Sequence, residues 1–108
     1  GAIRPIRRRV RSEVFIVKPV RIQPALLKEI RAKPAAERQE IGTRIAEAQR
    51  SIGQPHVHRG VGLRKLRDDY YEIRLGLKLR LVFENTSEAL VFECLGDHDD
   101  VRRFLKAG

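Results

Sequence analysis

The sequence predicts an α+β fold: an N-terminal strand, a helical hairpin packed on a three- to four-stranded antiparallel sheet, and a short C-terminal helix. Three observations predict it. Two helical patterns bounded by prolines fill the first half, period-2 strand patterns run from Val61 onward, and an acidic-led helix closes the chain. In order, residues 1–12 hold five arginines (Arg4, Arg7, Arg8, Arg9, Arg11) and little apolar periodicity, and read as a basic, mobile arm ahead of one domain spanning residues 13–108. Glu13–Val17 is the first strand candidate, ended by Lys18-Pro19 because proline cannot donate to a ladder. Pro24 fits a first helical position, with Leu26, Leu27 and Ile30 as the apolar face, until Lys33-Pro34 stops it. Pro34 opens the second helix, whose Ile41, Ile45, Ala48 and Ile52 recur at i, i+4, i+7 and i+11, with Gly53 as C-cap and Pro55 beyond. Asp68-Asp69 and Asn85–Glu88 read as turns between strands, and Asp99–Lys106 as a helix with acidic residues at its positive end.

The strands carry the most information. Tyr71, Ile73 and Leu75 alternate with Glu72 and Arg74, and Leu79, Leu81 and Phe83 alternate with Arg80 and Val82, the mark of half-buried antiparallel strands. For both apolar sets to share a face, the hairpin needs the odd loop Gly76-Leu77-Lys78, which pairs Leu75 with Leu79, Ile73 with Leu81 and Tyr71 with Phe83. That register sets Arg74 opposite Arg80. Like charges opposed across strands cost about a few tenths to 1 kcal/mol, so their presence points to an anion held between them, phosphate being the natural choice. A four-residue turn at Asn85–Glu88 would pair Phe83 with Leu90, Leu81 with Phe92 and Leu79 with Cys94 on the core face, and Val82 with Val91 and Arg80 with Glu93 on the other. His98 follows the last strand, at the rim of the arginine face.

A net charge of +9 over 108 residues points to a polyanionic partner and to one modest core. No apolar run approaches the roughly 20 residues of a membrane span, so a cytoplasmic protein without membrane contact is the expectation. Cys94, on the apolar side of its strand by alternation, reads as a small buried hydrophobe. His56 and His58 form an H-x-H pair in a loop, read as exposed or near a substrate path in preference to metal ligands, since no carboxylate or thiolate spacing supports a metal site. Nothing calls for a cofactor. Tyr71 is a core residue by alternation, while Tyr70 points to the charged face, where it either packs or stacks on a base.

Leu66-Arg67-Asp68-Asp69-Tyr70-Tyr71-Glu72-Ile73-Arg74-Leu75, then Leu79-Arg80-Leu81-Val82-Phe83, then Leu95-Gly96-Asp97-His98-Asp99-Asp100-Val101, resemble in this order the RelE/ParE superfamily of bacterial toxin–antitoxin toxins. The resemblance spans Leu63 to Leu105. It implies a small toxin neutralised by an acidic antitoxin, acting in one branch as a ribosome-dependent mRNA endoribonuclease and in the other as a non-catalytic inhibitor of DNA gyrase. The basic residues of the central strands and the histidine after the last strand then correspond to Arg74, Arg80 and His98. Two positions depart from the pattern: Glu72 stands where some ribonuclease members have lysine, and Arg102 where a tyrosine is common.

Metal-free RNA cleavage by the 2′-hydroxyl needs a proton acceptor, stabilisation of the phosphorane charge and a proton for the leaving 5′-oxygen. Arg74 and Arg80 are candidates to bracket the phosphate, His98 to move a proton, and Glu72 or a ribosomal group to serve as partner base. Lys65, Arg67, Tyr70, Lys78 and Arg102 are candidates for RNA contacts. On this reading both Arg74→Ala and Arg80→Ala would leave the fold intact.

Overall fold

The computed structural model describes residues 17–107. The arm expected over residues 1–12 lies outside that range, as do residues 13–16 of the first expected strand. The first strand within it, β1 (Val20–Ile22), begins after Pro19 instead of ending before it. A proline can stand just ahead of a strand because only its carbonyl is needed there, and Pro19 O accepts a hydrogen bond from Leu90 N at 2.9 Å.

The helical hairpin follows as α1 (Pro24–Arg31) and α2 (Ala35–Ser51), with Pro24 at the first helical position and Pro34 at the N-cap of α2. Leu26, Ile30, Ile41 and Ala48 are buried and Ile45 and Ile52 half-buried against the same core, which is the stripe the spacing predicts. After Gly53 the chain departs from the expected loop. Pro55 starts a single helical turn, α3 (Pro55–His58), which runs into a 3-10 turn at Arg59–Val61.

Four antiparallel strands then form, β2 (Leu63–Arg67), β3 (Tyr70–Leu75), β4 (Leu79–Asn85) and β5 (Leu90–Gly96). β1 joins them in parallel beside β5, giving the order β1-β5-β4-β3-β2. The β3–β4 register matches the expectation at every pair, including Arg74 opposite Arg80. The β4–β5 register does not: Asn85 pairs with Leu90, Phe83 with Phe92, Val82 with Cys94, Leu81 with Leu95 and Arg80 with Gly96. Two causes add. The turn is Thr86–Ala89, held by Thr86 Oγ1, which accepts the Ala89 N–H at 3.0 Å, so Asn85 belongs to β4. A bulge on β5 between Phe92 and Cys94 then inserts one more residue. Cys94 therefore faces Val82, away from the helical hairpin, and Gly96 in place of Glu93 arrives opposite Arg80.

The two faces of the sheet are covered unequally. α1 and α2 bury one face over Ile73, Leu81, Phe83, Leu90 and Phe92, with the Phe83 and Phe92 rings 4.8 Å apart. On the other face, among the described residues, α4 (His98–Ala107) packs against β4 and β5. Val82 and Val101 are buried there, and Phe104 meets the edge of Tyr70 at 5.6 Å. Among the described residues no helix packs over the half of this face carrying Glu72, Arg74 and Arg80. No helix among the described residues is long and apolar enough to cross a membrane.

Candidate active-site cleft

One cross-strand row carries the site. Gly62 O accepts the Arg74 N–H at 3.0 Å, Arg74 stands opposite Arg80, and Arg80 opposite Gly96. In the next row Glu72 stands between Arg64 and Val82. The Glu72 residue is only 6% exposed, and its Oε2 accepts from Arg80 Nε and Arg64 Nη2, each at 3.2 Å. A buried carboxylate needs such partners. The like-charge pair is thus asymmetric: Arg80 is neutralised from within the fold by Glu72, whereas Arg74 is exposed and makes no ion pair among the described residues.

Arg44 of α2 sets the wall beside Arg74. Its Nε donates to Arg74 O at 3.0 Å, its Nη2 to Val61 O, and its Nη1 pairs with Glu47 at 3.2 Å. This fork ties the long helix, the 3-10 turn and β3 together at the backbone. Gly62 lies between, at φ +76°, and a Cβ there would come within 3.1 Å of Arg74 Cβ. Only glycine allows both that conformation and that approach.

The result is an open cleft of ≈ 470 Å³, bordered by Arg59, Arg64, Lys65, Arg74 and Arg80 around the one carboxylate of Glu72, with His58 in the wall. Its volume lies within the range of small-ligand sites, and its charge selects anions. His58 Nε2 is 3.0 Å from Ser51 O, and since a carbonyl can only accept, Nε2 carries a hydrogen and Nδ1 is the ring nitrogen left for proton exchange. The ring meets Tyr71 edge-on at 6.2 Å.

Of the residues singled out from sequence, Glu72, Arg74, Arg80 and Lys65 line the cleft together. His98, exposed at the first position of α4, is not among its lining residues, although Gly96 two positions earlier adjoins Arg80. Lys78 lies in the exposed β3–β4 turn and Arg102 on the exposed side of α4. Arg67 donates to Leu105 O and Tyr70 packs on Phe104, so both are engaged by α4. Burial, then the charges of Glu93 and Glu84, push the Tyr70 phenol up, against the opposing charge of Arg67. His58, read from sequence as exposed or near a substrate path, stands in the cleft wall, and Arg59 and Arg64 are cleft residues that the sequence did not assign. Their signal was Pro55, which starts the turn that carries His58 and Arg59 to the wall, and Arg64 came opposite Glu72 only through a bulge at Leu66. No group of three or more His, Cys, Asp or Glu placed to hold a metal occurs among the described residues.

His98 is carried by a reciprocal cap, in which Asp97 N donates to Asp100 Oδ2 and Asp100 N to Asp97 Oδ1, both at 2.9 Å. The bond from the Asp100 N–H is the main reason the Asp97 carboxyl lies below its ordinary value. A depressed carboxylate stabilises the fold above its unfolded pKa and loses that contribution as pH falls through the folded one. Amide exchange at Asp100 and Val101, corrected for intrinsic rates, is therefore expected to quicken once the pH drops below about 4. A cap equally protected in strong acid would show that the Asp97 charge does not hold it.

No described protein family matches this sequence, and no curated protein does. Solved structures do match in fold. A chain of the archaeal RelE–RelB complex from Pyrococcus horikoshii OT3 superposes with a TM-score of 0.60 and 17% identity, over 76% of this chain and 96% of that one. A mutant of the E. coli toxin RelE in the free state gives 0.59 and 21%, over 85% and 98%. A chain of the YoeB–YefM complex from Staphylococcus aureus gives 0.54 and 19%, over 75% and 97%. Nearly the whole of each of those chains is matched, so the fold of this chain is that of the RelE toxin.

Proposed function

We propose that this chain is the toxin of a toxin–antitoxin pair and that it cleaves messenger RNA on the ribosome. The observation that carries the reading is the cleft, where five cationic side chains converge and Glu72 neutralises only part of their charge. Such a site suits a phosphate in transit to a more charged state, because guanidinium forks stabilise a phosphorane better than the starting diester. Arg74 and Arg80 bracket the phosphate, Glu72 holds Arg80 and Arg64 in place, and His98 supplies the proton that the leaving 5′-oxygen needs. Lys65 continues the cationic wall, and Lys78 and Arg102 extend it outward. Arg67 and Tyr70 support this surface from beneath α4.

The fold supports the partner as well, since solved chains of this shape occur in complexes with RelB and YefM. A chain of net charge +9 suits an acidic antitoxin. The test is to incubate the purified protein with ribosomes programmed with a defined mRNA and to map cleavage. Cleavage at codons presented to the ribosome, suppressed by the product of a neighbouring gene and with association slowed by high salt, is the expected result. Arrest of DNA supercoiling by gyrase with mRNA left whole would overturn it in favour of a non-catalytic inhibitor.

A further inference from the structure

We propose that His58 is the group that takes the proton from the attacking 2′-hydroxyl, an assignment that rests on the ribonuclease reading above. Three observations place it there. His58 lines the same cleft as Arg74 and Arg80. Its Nε2–H is committed to Ser51 O at 3.0 Å, so Nδ1 is the nitrogen left to accept a proton. Along the chain the two histidines also attach to opposite ends of one row: the row runs from Gly62 through Arg74 and Arg80 to Gly96, the turn that carries His58 leads into Gly62, and His98 follows Gly96 by two residues.

That row crosses three strand spacings, about 14 Å from end to end, with the two guanidinium groups in its middle. In-line displacement needs proton transfer on opposite sides of phosphorus, and this assignment gives the Gly62 end of the row to His58 and the Gly96 end to His98. The 2′-hydroxyl gives its proton to His58 Nδ1 as its oxygen bonds to phosphorus. The bond from phosphorus to the 5′-oxygen breaks, and that oxygen takes a proton from the imidazolium of His98. The products are a 2′,3′-cyclic phosphate and a 5′-hydroxyl. Throughout, the Nε2–H bond to Ser51 O stands in either charge state of the ring, so the imidazole keeps its orientation.

The experiment measures single-turnover cleavage on ribosomes programmed with a synthetic mRNA, once with the natural linkage and once with sulfur in place of the scissile 5′-oxygen. Sulfur leaves without a proton, so loss of the acid is tolerated and loss of the base is not. His58→Ala and His58→Gln are both expected to cut the rate by roughly 10²- to 10⁴-fold with ribosome affinity nearly unchanged. Both should stay slow on the sulfur linkage, where His98→Ala recovers. His58→Gln retains an N–H for Ser51 O, so it separates proton transfer from anchoring. Wild-type cleavage by His58→Gln would reduce His58 to an anchor, and recovery of either His58 variant on the sulfur linkage would make it the acid. Absence of cleavage by the wild-type protein would sink the ribonuclease reading itself, whatever the variants do.

Discussion

Arg80→Ala is expected to lose both activity and stability, whereas Arg74→Ala loses activity alone. The two arginines face each other across β3 and β4, yet only Arg80 is bound into the fold, through Glu72. Removing Arg80 leaves a carboxylate whose side chain is 8% exposed with one partner, Arg64, which is itself largely in solvent. Stranding a buried polar group costs about 1–3 kcal/mol, and at about 4–8 °C per kcal/mol for a domain of this size the melting temperature should fall by roughly 10 °C. Arg74→Ala removes one side of a like-charge pair and should leave the melting temperature level or raise it slightly. The addition of Glu72→Gln to Arg80→Ala should restore part of the loss, because the charge that lacked a partner is gone. Thermal melts of the four proteins check this, and equal stability of the two arginine variants would show that the Glu72 pair is too solvated to matter.

Gly96→Ala should be as damaging by a different route. A Cβ at Gly96 would stand 2.4 Å from Asp100 Cβ and 2.6 Å from Asp100 Oδ2. The first of these atoms is fixed to the helix backbone, so the first turn of α4 must move. Moving it breaks the Asp97–Asp100 cap and lifts the helix from Val82 and Tyr70. Overpacking costs about 1–3 kcal/mol and the lost cap about 1 more, so a fall in melting temperature of at least about 10 °C is expected. A melting curve like that of the wild-type protein would mean that α4 has room to give.

The parts of the fold that were legible in the sequence are those where two independent signals agree. At the β3–β4 hairpin, alternation on both strands and the glycine turn demand the same loop, and every pair is as expected. The helical hairpin is legible for the same reason, since apolar spacing and prolines mark the same ends. Bulges are where legibility stops. Leu90, Phe92 and Cys94 alternate without a break, so nothing in the pattern announces the extra residue that turns Cys94 and Leu95 over. The bulge at Leu66 has the same effect on Arg64, which simple alternation from the Asp68-Asp69 turn would have set opposite Ile73. The site shares this division. Arg74, Arg80 and Glu72 sit on the legible strands, whereas His58 and Arg59 reach the cleft through a short helical turn whose role depends on where α2 ends. A histidine in a polar segment carries no periodicity to read.

β1 pairs with β5, the last strand of the chain, and β5 lies between β1 and β4 in the sheet. During synthesis from the N-terminus, Val20–Ile22 therefore precedes the other described strands and finds its neighbour only after β2, β3 and β4 have been made. Contacts between positions so far apart in sequence form late, because the intervening chain must be gathered before any of them is gained. Arg80 receives its neighbour Gly96 with the same strand, so the row that begins at Gly62 and holds both arginines is closed by the docking of β5, and the two ends of the chain meet in the strand that completes it.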